Sequence, residues 1–468
     1  MLRSLAVSLV TVAGLLPGTV AAAAVTPLTL GKGDFPSVAV GGDGTAHVAW
    51  RGPSDGSNVS QLMFCRVPKG ASACAGGARA LPVPGTGESR PFVLPYERGI
   101  VVVQSRLSND PAVRGLYVII STDGGATFGT AYKAADVGLL LDAVGGPGST
   151  VSAVGSYASN LRYVNFAFGI PETPFATLSS PGTGDLGAVA LLNAATPFVL
   201  LYDGSGNAAW RHYDGSGDLN DEANWSAAST PGYLGEQPGL AHGTLGLFAT
   251  GRLGPTSTRP AVRKFAGTGF AAPSTIDTTS ANPVIAEDGG KRLHAVYGGF
   301  DLRHAVSDNG TAWRAETLVK AASPSGLPYL AGGPGHTGAV VYWSGGEVHL
   351  ARLGTTTAAG TGKKTIAVAG GKVTLKGPRA CVPPNESFVA RVTYKRDGRL
   401  RKVTRVDFLV DGRRDARDRK APFRESILQL NAPAGTTHSL KARVKIKVRG
   451  EEKLLTRTLR VKFQYCSS

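Results

Sequence analysis

A fixed register, repeated seven times, constrains this chain more than any other feature. Between residues 34 and 353 an apolar opening recurs as "FPSVAV" (35–40), "RPFVLP" (90–95), "QPGLAH" (237–242), "NPVIAE" (282–287) and "LPYLAG" (327–332). Weaker copies, "LLDAVG" (140–145) and "LGAVAL" (186–191), fall where the spacing needs them. Each opening is followed by a turn and a second apolar run, such as "AHVAW", "IVVVQ", "PFVLLY" or "AVVYW". Pro36 to Trp50, Pro283 to Tyr297 and Pro328 to Tyr342 are each 14 residues apart. Register kept over such distances means one structural unit copied, not loose similarity.

A unit of this size with several short strands cannot bury both faces of its own sheet. Packing such units around an axis does bury them, so the repeat predicts an all-β chain dominated by a seven-bladed β-propeller. Composition agrees: 63 Gly against 2 Met, with Gly, Pro, Ser and Asp clusters separating short Val/Leu/Tyr runs.

Two of the units carry a related turn, "STDGGATF" (121–128) and "VSDNGTAW" (306–313), after their third strands. There an Asp can bond backbone N–H groups further on, Gly takes the positive-φ position, and the aromatic plugs between sheets. The pattern Ser121, Asp123, Gly125, Thr127 and Phe128 resembles the Asp-box, or bacterial neuraminidase repeat, of sialidase-like propellers. The second copy keeps Asp308, Gly310 and Trp313, with Val306 and Ala312 where Ser and Thr are usual. This resemblance spans residues 34–353 and implies a fold. An activity does not follow from it.

Four segments organise the chain. Residues 1–24 read as a secretory signal peptide: a basic start at Arg3, the apolar "LAVSLVTVAGLL", then "AAAA" as a cleavage site. Residues 25–353 form the propeller, 354–364 a Gly/Thr/Ala linker, and 365–468 a second domain. An exported, extracellular or cell-surface, monomeric protein is expected, with no spanning segment after the signal. Its four cysteines allow three pairings. Cys65–Cys74 and Cys381–Cys466 are favoured, because each pair then stays within one domain. A metal is not expected, since neither pair has CxxC spacing or a His cluster beside it. No cofactor motif occurs either, neither a phosphate loop nor a G-x-S-x-G elbow.

The formal net charge of +17 is divided unevenly. Residues 363–468 hold 27 Lys+Arg against 9 Asp+Glu, whereas residues 1–362 hold 23 against 24. The tail reads as alternating strands, "SFVARVTYKR", "VTRVDFLVDGRR", "FRESILQL", "HSLKARVKIKV" and "LTRTLRVKFQY". Its V-D-F-x-V-D-G strand and turn, A-P-F strand start and G-x-x-H-x-L-x-A-x-V return resemble bacterial immunoglobulin-like domains. That likeness implies a β-sandwich with Asp411-Gly412 in a hairpin, Phe408 and Phe423 in the core, and Cys381–Cys466 tying first and last strands. Strict alternation also lines basic side chains along one face. They either meet only solvent or hold an anionic envelope polymer. Few aromatics interleave with them, so sequence-specific nucleic-acid readout is not indicated.

Hydrolysis of the sialidase type needs three arginines around a carboxylate, a Tyr–Glu pair and an Asp acid. Only "SRPF" (89–92) approaches the usual R-[IL]-P stretch, and no Tyr–Glu pair is assignable. A recognition surface is the better expectation. Trp50, Tyr202, Tyr297, Tyr342 and Trp343 lie at or just past one strand end in four units, with Arg51, Gln104, Arg106, Asp203 and Arg252 in register nearby. Aromatics stack on sugar rings, and the mouth of a ring of sheets is a common ligand position. The sequence thus points to a non-catalytic binding or adhesion protein. The propeller would recognise a glycan or a protein, and the tail would hold the envelope. A secreted sialidase-type exo-glycosidase is the alternative.

Overall fold

Period-two alternation is the rule by which this chain buries itself. In the strand Gly99–Arg106, alternate side chains enter two different cores: Ile100 and Val102 go one way, Val101 and Val103 the other. The computed structural model describes residues 24–464 apart from 55–59, 84–88, 97–98, 158–159, 172, 179–185, 194–195, 203–206, 235–238, 255, 354–361, 379–381, 383–386 and 429–436. Residues 1–23 of the expected signal peptide, Asp203, Cys381 and Cys466 lie outside the described residues.

Among the described residues, seven four-stranded antiparallel sheets occupy the first three quarters of the chain. Sheets I to VI span residues 34–80, 92–135, 139–178, 186–233, 240–275 and 284–319, each a meander in chain order. Sheet VII takes three strands from 329–353, and its outermost strand, Leu28–Lys32, comes from the start of the chain. First strands touch in sequence order, and that of sheet VII touches that of sheet I, so the ring closes. A separate apolar cluster fills every seam. At the last one Val341 and Leu350 pack against Val38, Val48 and Trp50. This is a β-propeller.

The expected openings all became first strands and the second runs all became second strands. The closing strand was not anticipated, because "LTLGK" is short and carries a Gly with φ +154°. Such a strand has no signature of its own.

The turn Ser121–Phe128 shows why its letters recur. Asp123 accepts from Thr127 N–H (2.8 Å) and from the Thr127 hydroxyl (2.7 Å), and Ser121 Oγ accepts from Gly125 N–H (2.7 Å). Those bonds hold the Asp123 carboxyl well below its usual range. Phe128 then plugs against Phe64 of the preceding sheet, with ring centroids 4.8 Å apart. Trp225 meets Tyr163 in the same way, again at 4.8 Å.

In the second copy the expected role of Asp308 is corrected. Asn309 takes it, accepting from Thr311 and Ala312 N–H groups, while Ser307 Oγ accepts from Gly310 N–H. This turn is one residue shorter between its Ser and its Gly, so Asp308 faces outward and pairs with Arg292 at 2.7 Å. Gly310 and Trp313 keep their places at the seam with sheet V.

The tail comprises two four-stranded sheets around one core. One joins Lys363–Val368, Gly371–Lys376, Ser387–Lys395 and Phe423–Leu428. The other orders Arg413–Asp418, Leu400–Val410, Thr437–Val448 and Leu455–Gln464. Phe408 and Phe423 are buried between them, and Asp411-Gly412 turns the hairpin with both residues at positive φ. The first strand begins at Lys363, inside the expected linker. The Gly371–Lys376 strand that pairs with it lacks the long alternating run that marked the others. Cys65–Cys74 is bridged, tying the Ser60–Val67 strand to the loop after it.

The turn glycines separate two costs. A Cβ on Gly125 would stand 2.8 Å from Phe64, whereas one on Gly124 would meet nothing, and both residues have positive φ. Gly124→Ala should cost about 1 kcal/mol, the left-handed penalty alone, and Gly125→Ala about 2–5 kcal/mol. Urea unfolding checks this, and equal losses would refute the seam role.

Candidate functional site

In a ring of meanders each first strand has one unpaired edge, facing the axis. Its N–H groups need acceptors, and short side chains from neighbouring sheets supply them. Ser37 Oγ accepts from Val93 N–H (3.2 Å), Ser105 Oγ from Leu140 N–H (2.9 Å), and Asp142 from Val189 N–H (2.9 Å). Glu287 accepts from Thr244 N–H (2.8 Å) and Leu245 N–H (3.1 Å). The first three bonds satisfy first-strand edges across seams I–II, II–III and III–IV, the Glu287 bonds hold the turn after Leu240–Gly243 across seam V–VI, and Asp142 and Glu287 also line an axial cavity.

The cavity has a volume of about 650 Å³ and opens where the first strands begin. Phe35, Arg90, Asp142, Tyr329 and Trp343 give it its chemistry. Arg90 donates to Leu327 C=O (2.8 Å) and lies 5.5 Å over the Tyr329 ring, while its buried Nε has no partner among the described residues. Burial lowers its pKa. Asp142 accepts from Ala143 and Val189 N–H groups, yet burial outweighs those bonds and pushes its carboxyl up to about 7. Arg90 and Asp142 face the same space and are not ion-paired. Burial raises the Tyr329 hydroxyl as well. At the rim, Phe35 and Trp343 rings sit 5.0 Å apart, and Arg51 lies 4.6 Å over Phe35.

Of the expected ligand contacts among the described residues, only Trp343 lines this cavity. Trp50, Tyr202, Tyr297 and Tyr342 are buried blade-packing residues, a correction to the surface expected from their register. Trp50 donates its indole N–H to Lys32 C=O (2.9 Å), Tyr297 its hydroxyl to Asp277 (2.9 Å), and Tyr342 stacks on His349 at 5.1 Å. Trp50, Tyr297 and Tyr342 join the apolar clusters of the seams, where a large ring fills the space between neighbouring sheets. Arg51 is bound to Asp34 by two 2.6 Å bonds, and Arg252 Nε reaches Asn282 at 2.9 Å. Arg106 is half-buried at the same strand end of sheet II. Arg51, Arg106 and Arg252 thus do not converge on the cavity. Gln104 is buried, with neither side-chain polar atom hydrogen-bonded among the described residues.

Arg90, Asp142 and Tyr329 went unassigned from sequence, although a signal existed. Asp142 is a carboxylate inside an apolar opening, "LLDAVG", and Tyr329 stands in "LPYLAG". Charge at a first-strand position marks the axis, where the edge groups need it.

A second buried polar cluster lies in sheet VI. His294 and His304 stack at 5.2 Å, their Nδ1 and Nε2 atoms are 2.9 Å apart, and Asp288 holds His294 Nε2 at 2.7 Å. Ten residues of sequence separated them, but the hairpin brings them together on adjacent strands. Burial lowers the His294 imidazole to about 4.

The two groups pull stability in opposite directions. Asp142 binds its proton more tightly when folded, so its contribution falls as pH rises from about 4 to about 7. His294 stays neutral when folded, so its contribution is lost as pH falls from 6.5 to about 4. Asp142→Asn should therefore steepen the gain of stability with rising pH, and His294→Gln should flatten or reverse it. Urea midpoints at pH 4 and pH 7 for wild type and both variants check the signs.

No family model and no curated protein matches the chain. Among solved structures it is similar to YCF48 bound to D1 peptide, at 12% identity over 70% of this chain and 94% of that one, with a TM-score of 0.45. It is also similar to an α-L-arabinanase of Penicillium chrysogenum complexed with arabinobiose, at 12% identity over 71% and 98%, TM-score 0.39. A third is the lectin of Aleuria aurantia, described as a six-bladed propeller with a fucose recognition mode, at 10% identity over 70% and 93%, TM-score 0.39.

Proposed function

We propose that this chain is an exported, non-catalytic recognition protein whose propeller takes a glycan at its axial cavity. The observation that carries this reading is an Arg90 whose Nε has no partner among the described residues, facing an Asp142 held by backbone N–H groups with no cation on it, across a space walled by Tyr329, Phe35 and Trp343. A sugar offers what such a site lacks. Hydroxyl oxygens accept from the guanidinium, hydroxyl protons satisfy the carboxylate, and the apolar face of a ring stacks on an aromatic. The volume lies within the range of small-molecule sites.

The finer architecture belongs to the same proposal. Each of the seven sheets is one blade, the Ser121–Phe128 turn is an Asp-box, and the tail is an immunoglobulin-like sandwich. Residues 1–24 direct export, Cys381 pairs with Cys466, and the protein works as a monomer outside the cell or at its surface. Its basic sandwich holds the propeller to an anionic envelope polymer.

A hydrolytic reading, that of a sialidase-type exo-glycosidase, is favoured by one observation. A carboxyl raised to about 7 is still half protonated near neutral pH and suits a general acid.

A glycan array probed with the full exported chain, followed by calorimetry on the best ligand, tests recognition. Arg90→Gln and Trp343→Ala should each weaken binding about tenfold or more. Loss of no affinity in either variant would remove the cavity from the proposal. Release of methylumbelliferone from its sialoside, abolished by Asp142→Asn, would replace binding with hydrolysis.

A further inference from the structure

The tail's charge is arranged as well as large. In the strand Thr437–Val448, Lys441, Arg443, Lys445 and Lys447 alternate with buried Ala442, Val444 and Ile446, so the four cations share the outer face. Register then places their neighbours. Lys441 stands opposite Arg460, Lys447 opposite Lys402, and Lys445 opposite Arg405. Lys462 pairs with Ser439, Arg414 with Leu409, and Arg417 with Asp407 on the same face. Asp407 is the single acid in these paired positions, and its carboxylate is already held by Arg417 at 2.6 Å and Arg405 at 3.2 Å.

The outer face of this sheet therefore carries a lattice of cations, with rows about 4.8 Å apart and charges about 6–7 Å apart along each row. Hydroxyls of Thr456, Thr458 and Ser439 lie in the same rows. No aromatic stands in these paired positions to stack a base or anchor in lipid. The opposite face of the sandwich is basic too, with Lys372, Lys376, Arg391 and Lys395, but its cations flank Thr374 and Thr393 instead of forming an unbroken row.

We propose that the outer face of the Leu400–Val410, Arg413–Asp418, Thr437–Val448 and Leu455–Gln464 sheet is the docking surface for a flexible, linear polyphosphodiester lying along the Lys441–Lys447 row. This rests on the reading that the sandwich holds the chain to an anionic polymer, and adds which face does so and what chemistry it meets. One cation per two residues suits an extended polymer carrying one charge per repeating unit. A duplex presents a phosphate every 3.4 Å along each strand, on a rigid curved surface. Arginine forks and lysines alternating in one row fit tetrahedral oxyanions separated by neutral spacers.

The test uses the full exported chain and a defined-length poly(glycerol phosphate), with affinity measured across a salt series. The quadruple variant Lys441→Gln/Arg443→Gln/Lys445→Gln/Lys447→Gln should weaken binding about a hundredfold at 0.1 M salt and lower the log–log salt slope by about 3. The control Lys372→Gln/Lys376→Gln/Arg391→Gln/Lys395→Gln removes the same charge from the other face. It should change affinity by no more than about threefold, because the faces are more than a Debye length of about 10 Å apart through solvent. Should the quadruple variant fold poorly, Arg443→Gln/Lys447→Gln, both at exposed positions, should still cost about tenfold. Equal losses in the two quadruple variants would overturn the face while leaving an electrostatic tether. No binding by wild type at low salt would overturn face and tether together. Equal affinity for phosphatidylglycerol vesicles would assign the surface to membrane instead.

Discussion

The unpaired inner edge of each sheet is the constraint on which the rest of this molecule depends. An edge strand presents N–H groups that a neighbour must satisfy, and here the neighbours are held side by side by apolar seams and cannot form a ladder. Ser37, Ser105 and Asp142 supply acceptors across three successive seams. Polar residues are thereby drawn to the axis of an otherwise apolar ring. Asp142 stands in the cavity because the fold needs its bond to Val189 N–H, and Arg90 faces the same space.

Much of the fold was legible because the repeat carries it redundantly. Seven openings at regular spacing, each followed by a second run, leave few alternatives to a ring of meanders, and the plugging aromatics are readable once the third hairpin is located. The closing strand Leu28–Lys32 was not readable, since its pairing with Glu347–Leu353 is fixed by ring geometry and not by local pattern. The turn at Ser307 misled in a specific way. Aligning Asp308 with Asp123 preserves the letters, whereas the backbone preserves the Ser-to-amide bond, and the two differ by one residue.

The candidate site was less legible, for a physical reason. Register along a second strand tells which residues share an end, but the side chains there divide between seam and mouth. Large aromatics such as Trp50 and Tyr297 go to the seams, where sheets splay outward from the axis and leave volume to fill. The residues that reach the cavity come from first strands and the segments before them. Asp142 is marked by its charge in an apolar run and Arg90 by the "SRPF" stretch, whereas Tyr329 differs too little from its counterparts to be chosen.

Closure of the ring by Leu28–Lys32 has a consequence in time. Its partner, Glu347–Leu353, is synthesised more than 300 residues later. At about 5–20 residues per second that is on the order of 15–60 s after the closing strand itself has emerged. Throughout that interval the first sheets exist, if at all, as an open arc with bare apolar flanks and a waiting strand. The nascent chain is therefore at its most adhesive just before the ring closes, and whatever shields it in that window shapes the yield of folded protein.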